Sequence, residues 1–242
     1  MQTAKGERIY AIGDIHGRYD LLRRLLLQIK AHHLSLPRAE RVRIMVLGDF
    51  VDRGPDSARV LKLLFGISRR TDILVCLLGN HEDLMLDALA GMERAQSAWL
   101  RLGGDATLQS FGITPDMLGA VDPRAAAALM RSAITQPAID WMRTRPLMMR
   151  SGNYIFCHAG LRPGTPILQQ TREDLLWIRG DFLESTERFE GSVVVHGHSI
   201  SAEVEQLENR IGIDTGAYRT GVLTALYLEG RERAIISTGI PS

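Results

Sequence analysis

Five short polar clusters hold the residue types that could do chemistry in this 242-residue chain. They are Gly13-Asp14-Ile15-His16-Gly17, Gly48-Asp49-Phe50-Val51-Asp52-Arg53-Gly54, Gly79-Asn80-His81-Glu82, Cys157-His158-Ala159-Gly160 and His196-Gly197-His198. The reactive types are Asp, His, Asn and Arg. Oxygen plus imidazole donors without thiolate suit Mn, Fe or Zn. Asp14 and His16 project from one loop, two residues apart. A carboxylate such as Asp49 can bridge two cations, because its two oxygens carry several lone pairs. Two cations held close together clamp phosphoryl oxygens and acidify a bridging water. Taken singly, each cluster has an ordinary reading. An Asp after a strand often caps a helix, Asp-Arg-Gly often makes a turn with a surface ion pair, and a strand-end His often packs in the core. Recurrence at strand ends is what joins them, and spacing alone does not assign each ligand.

The surrounding patterns supply the strands. Residues 8–12, 43–47 and 73–78 are apolar runs that stop at Gly13-Asp14, Gly48-Asp49 and Gly79-Asn80. Between them, Leu21, Leu22, Leu25, Leu26 and Ile29 recur at helical spacing with Asp20 as N-cap, and Val60, Leu61, Leu64 and Ile67 do so after Pro55, which suits a first-turn position. This βαβαβ order predicts a mainly parallel, buried sheet. Residues 82–149 read as mostly helical, with a cap-plus-proline start at Asp122-Pro123. Further strand-like runs fall at 154–157, 193–195, 211–213, 222–228 and 234–236, with a helical interruption near 172–183. In open α/β sheets ligands sit beyond the carboxyl ends of the strands. All five clusters would then converge on one edge.

Read in order, GDIHG, GDFVDRG, GNHE, HAG and HGHS resemble the motifs of the bacterial-type phosphoprotein phosphatase family of calcineurin-like metallophosphoesterases. Leu176-Trp177-Ile178-Arg179, Ile213-Asp214-Thr215-Gly216-Ala217, and Trp99 with Gly103-Gly104-Asp105-Ala106-Thr107 also look like the bacterial branch. The resemblance implies an α/β fold: a βαβαβ core with two packed mixed sheets flanked by helices, an α/β/β/α sandwich. It implies a single domain over 1–242, with a mostly helical cap-like segment at about 83–150. It further implies two divalent cations, Mn²⁺ foremost, with Fe or Zn as alternatives. Asp14 and His16 would hold the first, Asp49 would bridge, and Asn80, His158 and His198 would complete the second. His196 would be packing or support. A metal-bridging hydroxide would attack phosphorus directly. Arg53, Arg179 and Asn80 would grip phosphate, His81 would protonate the leaving oxygen, and Asp52 would orient His81. Glu82 reads as an acid at a helix N-terminus. Asp214 and Tyr218 are left open between the site edge and structural roles.

Three functions compete. The leading expectation is a metal-dependent serine/threonine phosphoprotein phosphatase. The alternative is a symmetrical dinucleoside polyphosphate hydrolase, such as a diadenosine tetraphosphate hydrolase. The third is a non-catalytic, metal-containing binding module, disfavoured because every expected ligand and the His81–Asp52 pair are present. Trp99 and Trp141 could stack an adenine, but core burial is the stronger reading. Arg94, Arg101, Arg124, Arg131, Arg143, Arg145 and Arg150 could meet the phosphate chain of a dinucleotide, but an ordinary solvated face is the stronger reading.

Composition bounds these readings. Hydrophobic residues at 45% and charged residues at 24% fit a globular chain and exclude disorder or coiled coil as the main architecture. Lys+Arg 29 against Asp+Glu 28 gives no global field for nucleic acid. No apolar run approaches bilayer-spanning length, and the first dozen residues lack signal-peptide regions. The expectation is a cytoplasmic monomer without nucleic-acid or membrane partners, acting on a phosphorylated protein or small phosphoester. Cys76 and Cys157 read as buried small hydrophobes in a reducing compartment.

Overall fold

The computed structural model describes residues 1–239. Two five-stranded sheets form the centre. The first has the order β10-β9-β1-β2-β3, made of β1 (Glu7–Ile12), β2 (Arg41–Val46), β3 (Leu74–Cys76), β9 (Thr224–Glu229) and β10 (Glu232–Ser237). The second has the order β4-β5-β6-β8-β7, made of β4 (Met148–Ser151), β5 (Tyr154–Cys157), β6 (Val193–His196), β7 (Glu205–Gln206) and β8 (Arg210–Gly212). In the first sheet β1, β2 and β3 are parallel, and β9 and β10 are antiparallel. In the second, β5, β6 and β8 are parallel, with antiparallel β4 and β7 at its edges. Both sheets are therefore mixed, as expected.

Side-chain alternation explains the stacking. Ile9 and Ala11 of β1 face Tyr154, Phe156, Val193, Val195 and Ile211 of the second sheet in one buried cluster. Tyr10 and Ile12 point the other way, into a core shared with helices α1 (Tyr19–Ser35), α2 (Ser57–Ser68) and α3 (Asn80–Leu89). That core also takes in α4 (Glu93–Trp99), α5 (Asp105–Ser110), α6 (Pro115–Gly119), α7 (Pro123–Ala133) and α8 (Gln136–Arg143), through Trp99, Leu108, Leu118, Met130 and Trp141. The outer face of the second sheet, including Ile155 and Val194, packs on α9 (Arg172–Trp177) and α10 (Gly180–Leu183). The layers run α/β/β/α.

Three local expectations change. Met148–Ser151, which begins at the end of the stretch read as helical, is a strand paired antiparallel with β5. Its chain returns through Gly152, whose φ of 54° suits a tight turn. Asp20 lies in the first turn of α1 rather than capping it, and chelates Arg18 at 2.7 and 2.9 Å. Pro55 precedes α2 rather than opening it. Asp122 does cap α7, accepting the amides of Arg124 and Ala125 at 2.9 and 3.0 Å. Among the described residues no helix is long and apolar enough to cross a membrane.

Candidate metal centre

Asp14 follows β1, Asp49 follows β2, Asn80 follows β3, His158 follows β5, His198 follows β6 and Asp214 follows β8. Parallel strands in two stacked sheets thus deliver six side chains to one edge. The turns that carry them are unusual. His16, Asp49, Asp52, Arg53 and His198 have φ of 44°, 47°, 71°, 66° and 61°. Left-handed backbone at a non-glycine residue costs about 1–2 kcal/mol. Each of these amides donates to a fixed acceptor: His16 to Asp49 O at 2.9 Å, Asp49 to Glu82 Oε2 at 2.8 Å, Arg53 to Gly103 O at 3.0 Å. The Asp52 amide donates to Thr107 Oγ1 at 2.8 Å and Ser57 Oγ at 3.0 Å, and the His198 amide to Asp14 Oδ2 at 3.0 Å. Two glycines make room. A Cβ on Gly79 would strike the Asp49 carboxylate, and one on Gly197 would strike Asp14.

The potential ligand atoms gather in two groups around Asp49. His16, Asp49 and His81 form one, and Asp49, His158 and His198 the other. Asp49 Oδ1 lies 3.4 Å from His158 Nε2, and Oδ2 lies 3.6 Å from His16 Nε2 and 3.8 Å from His81 Nε2. Asn80 Oδ1 is 2.8 Å from His158 Nε2. The expected ligands Asp49, Asn80, His158 and His198 are thus brought together. Asp14 is not in the tight group with His16 and Asp49. Its carboxylate accepts the His198 amide and pairs with Asp214. Asp214 also accepts the Gly216 amide at 2.9 Å.

This donor set fits divalent cations. His16 Nδ1 donates to Val51 O and His158 Nδ1 donates to Leu47 O, both at 2.9 Å, so each Nε2 keeps its lone pair. The His158 lone pair then faces the Asn80 oxygen, two acceptors that a shared cation would satisfy. His198 Nε2 is buried and has no hydrogen-bond partner. Metal–N and metal–O bonds of about 2.0–2.2 Å place neighbouring ligand atoms roughly 3–3.6 Å apart, close to the separations seen.

The electrostatics set His81 apart from the other histidines of the two groups. Burial lowers the pKa of His16 to about 3 and of His198 to about 2, and it also lowers that of His158. Neutral imidazole is the metal-binding form. At His81 burial acts the same way, but the Asp49 charge and the Asp52 hydrogen bond outweigh it and raise the pKa. Burial opposes the Asp49 charge, yet His158, His81, His16 and His198 hold that carboxyl below the usual range. Burial and the charges of Asp214 and Asp49 push Asp14 well up, a strain that a nearby cation relieves.

The remaining expected residues flank these groups. His81 Nδ1 lies 2.6 Å from Asp52 Oδ2. Arg53 donates to His16 Nε2 at 3.1 Å, and its guanidinium sits 4.9 Å from the centre of the Tyr218 ring. Tyr218 packs edge-on against His16 at 5.3 Å. Arg179 is exposed beside the second group, and its charge helps lower the pKa values of His158 and His198. His196 joins neither group; its ring packs on Phe182 and contacts Gly197 O and Arg210. Trp99 and Trp141 are buried in the helix-side core. Of the seven arginines read as a solvated face, all but the half-buried Arg145 are exposed.

Sequence reasoning undervalued three residues. Glu82 is wholly buried and accepts the amides of Asp49, Gly79, Phe50 and Val51 at 2.8 to 3.1 Å. It therefore ties the GNHE and GDFVDRG loops together. Trp99 and Thr107 both donate to Asp52. The only sequence signal for these two was their membership in the bacterial-type stretch 99–107.

A family model described as calcineurin-like phosphoesterase matches residues 7–217. A symmetrical bis(5'-nucleosyl)-tetraphosphatase of Methylococcus capsulatus is 33% identical over 155 residues, 64% of this chain and 44% of the relative. One of Nitrosomonas europaea is 31% identical over 195 residues, 78% of this chain and 59% of the relative. The chain thus spans about half the length of these curated relatives. Among solved structures, a protein provisionally assigned as a diadenosine tetraphosphatase superposes with a TM-score of 0.63 at 19% identity, covering all of both chains. At that identity the likeness concerns the fold. The relatives overturn the expectation of a serine/threonine phosphoprotein phosphatase acting on a phosphorylated protein. The physical reason lies in the motifs. They specify metal ligands and a phosphate grip, and they are silent on what the phosphate is attached to.

Proposed function

Because the chain belongs to the calcineurin-like phosphoesterase family, we propose that it hydrolyses dinucleoside tetraphosphates symmetrically, giving two nucleoside diphosphates. The observation that carries this reading is the similarity to relatives of that name, at 33% and 31% identity. The geometry supports it. Arg53 stands beside the first ligand group and Arg179 beside the second, so a polyphosphate chain laid across both meets a cation at each end.

Asp14, His16 and Asp49 would hold one divalent cation, and Asp49, Asn80, His158 and His198 the other. Bound there, the cations would polarise phosphoryl oxygens and lower the pKa of water. The protein residues do the rest. The Arg53 guanidinium offers a planar fork to phosphate oxygens, braced by the Tyr218 ring. Arg179 and Asn80 contact neighbouring oxygens. Water adds to an inner phosphorus, and the bond to the central bridging oxygen breaks. His81 Nε2 gives its proton to that oxygen as the diphosphate leaves, while Asp52 stabilises the charged ring. The chain is read as one domain, since helices α4–α8 share the core of α1–α3.

The test uses metal-stripped protein supplied with Mn²⁺, given diadenosine tetraphosphate in one arm and a phosphoserine peptide in the other. Two ADP per dinucleotide, with no turnover of the peptide, is the expected result. Formation of AMP plus ATP, or turnover of the peptide alone, overturns the proposal.

A further inference from the structure

The Asp52 carboxylate is fully buried, and its side-chain hydrogen-bond donors lie 29, 47 and 55 residues further along the chain. His81 Nδ1 meets Oδ2 at 2.6 Å. The Trp99 indole N–H bridges both oxygens, at 3.0 Å to Oδ1 and 2.9 Å to Oδ2. The Thr107 hydroxyl donates to Oδ1 at 2.6 Å. Having one proton, that hydroxyl spends it on the carboxylate, and its lone pairs take the Asp52 amide at 2.8 Å. Both the carboxylate and the left-handed backbone of Asp52 are thereby fixed.

The segment between α4 and α5 is shaped to deliver these two groups. Gly104 lies flat on the Trp99 ring, where a Cβ would come within 2.5–2.8 Å of indole carbons. Gly103, with φ of 107°, turns the chain and presents its carbonyl to the Arg53 amide at 3.0 Å. One kink thus sets the carboxylate behind His81 and the backbone of Arg53. Without the Trp99 and Thr107 donors, the Asp52 side chain could rotate, and the imidazole it holds would lose its fixed orientation.

We infer that Trp99 and Thr107 are positioning residues for the leaving-group proton, acting through Asp52 on His81. This rests on the reading of His81 as the proton donor, so the experiment separates the two. The variants are Trp99→Phe, which keeps a ring of similar bulk without the N–H, and Thr107→Val, which keeps the shape without the hydroxyl. Thr107→Ser is the conservative rescue. The first readout is the downfield proton resonance of the His81 Nδ1–H···Asp52 hydrogen bond, identified by its loss in His81→Asn. The second is turnover of diadenosine tetraphosphate with Mn²⁺, with metal content measured alongside. Trp99→Phe and Thr107→Val should move or abolish the resonance. They should lower kcat roughly 10–100-fold, a fraction of what general acid catalysis supplies. KM and bound metal should hold, and Thr107→Ser should recover both readouts. An unmoved resonance in Thr107→Val, or no downfield resonance in the parent protein, overturns the inference. A lost resonance with full turnover instead overturns the role given to His81.

Discussion

The Glu82 carboxylate accepts the Asp49 amide at 2.8 Å, so an acid in the third motif fixes the residue at the centre of both ligand groups. Each Glu82 oxygen takes two backbone N–H groups. Burial and the Asp49 charge push the Glu82 carboxyl up to about 8, while these donors favour its charged form. Glutamine has only one oxygen, so Glu82→Gln must turn an NH₂ group toward two buried donors. With each unsatisfied buried donor costing about 1–3 kcal/mol, we expect roughly 2–6 kcal/mol of destabilisation. Urea unfolding of the metal-stripped protein measures it, and a loss under about 0.5 kcal/mol, the range of an uninvolved surface site, would contradict this account.

Asp49 and His81 should separate cleanly on substitution. Asp49→Asn removes charge from both ligand groups, and bound Mn²⁺ and turnover should fall together. His81→Asn should lower kcat by about 10²–10⁴, the usual weight of a general acid, with metal largely retained. Elemental analysis beside kinetics decides. Metal loss in His81→Asn would make His81 a ligand instead, a role its place 3.8 Å from Asp49 Oδ2 makes worth checking.

Arg53 should not tolerate lysine. Its guanidinium reaches His16 and lies over Tyr218, and the proposed phosphate grip uses its planar fork, whereas an ammonium is a point charge. Arg53→Lys should cut kcat/KM about 10²-fold with little change in melting temperature. Near-parental kcat/KM would show that charge alone suffices.

Away from the site, Arg8 of β1 is buried and donates to its cross-strand partner Glu229 at 2.7 Å. Burial of Glu229 works against its charge, but hydrogen bonds from Arg8 and Tyr227 and the Arg8 charge lower its pKa. A depressed folded pKa contributes stability above the unfolded value of about 4.3 and loses it as pH falls through the folded one. In metal-free protein, Glu229→Gln should therefore lower the urea midpoint at pH 6 and lower it less at pH 3.5. An equal difference at both pH values would rule out this pair as a source of acid sensitivity.

The strand ends were legible because apolar runs and the polar clusters after them are local features. Residues 154–157 were placed without error, as was the Asp122 cap. Met148–Ser151 was not, since two methionines, an arginine and a serine alternate in no telling way beside a helical stretch. In the site, Asp49 and His158 carried motif information, while Glu82 acts on amides up to 33 residues away that have no side-chain signature. Trp99 and Thr107 reach Asp52 across 47 and 55 residues. The substrate was the least legible of all, because metal ligands and phosphate grips serve many phosphate compounds alike.

The His198 amide donates to Asp14 across 184 residues of chain. A nascent chain that has emerged just past β5 already displays Asp14, His16, Asp49, Asn80 and His158, yet lacks His198 and the strand that carries it. Filling of the proposed ligand set would wait until β6 has docked beside β5. A cation held by the proposed ligands would therefore report that β6 has joined β5, before β8 and β7 finish the second sheet.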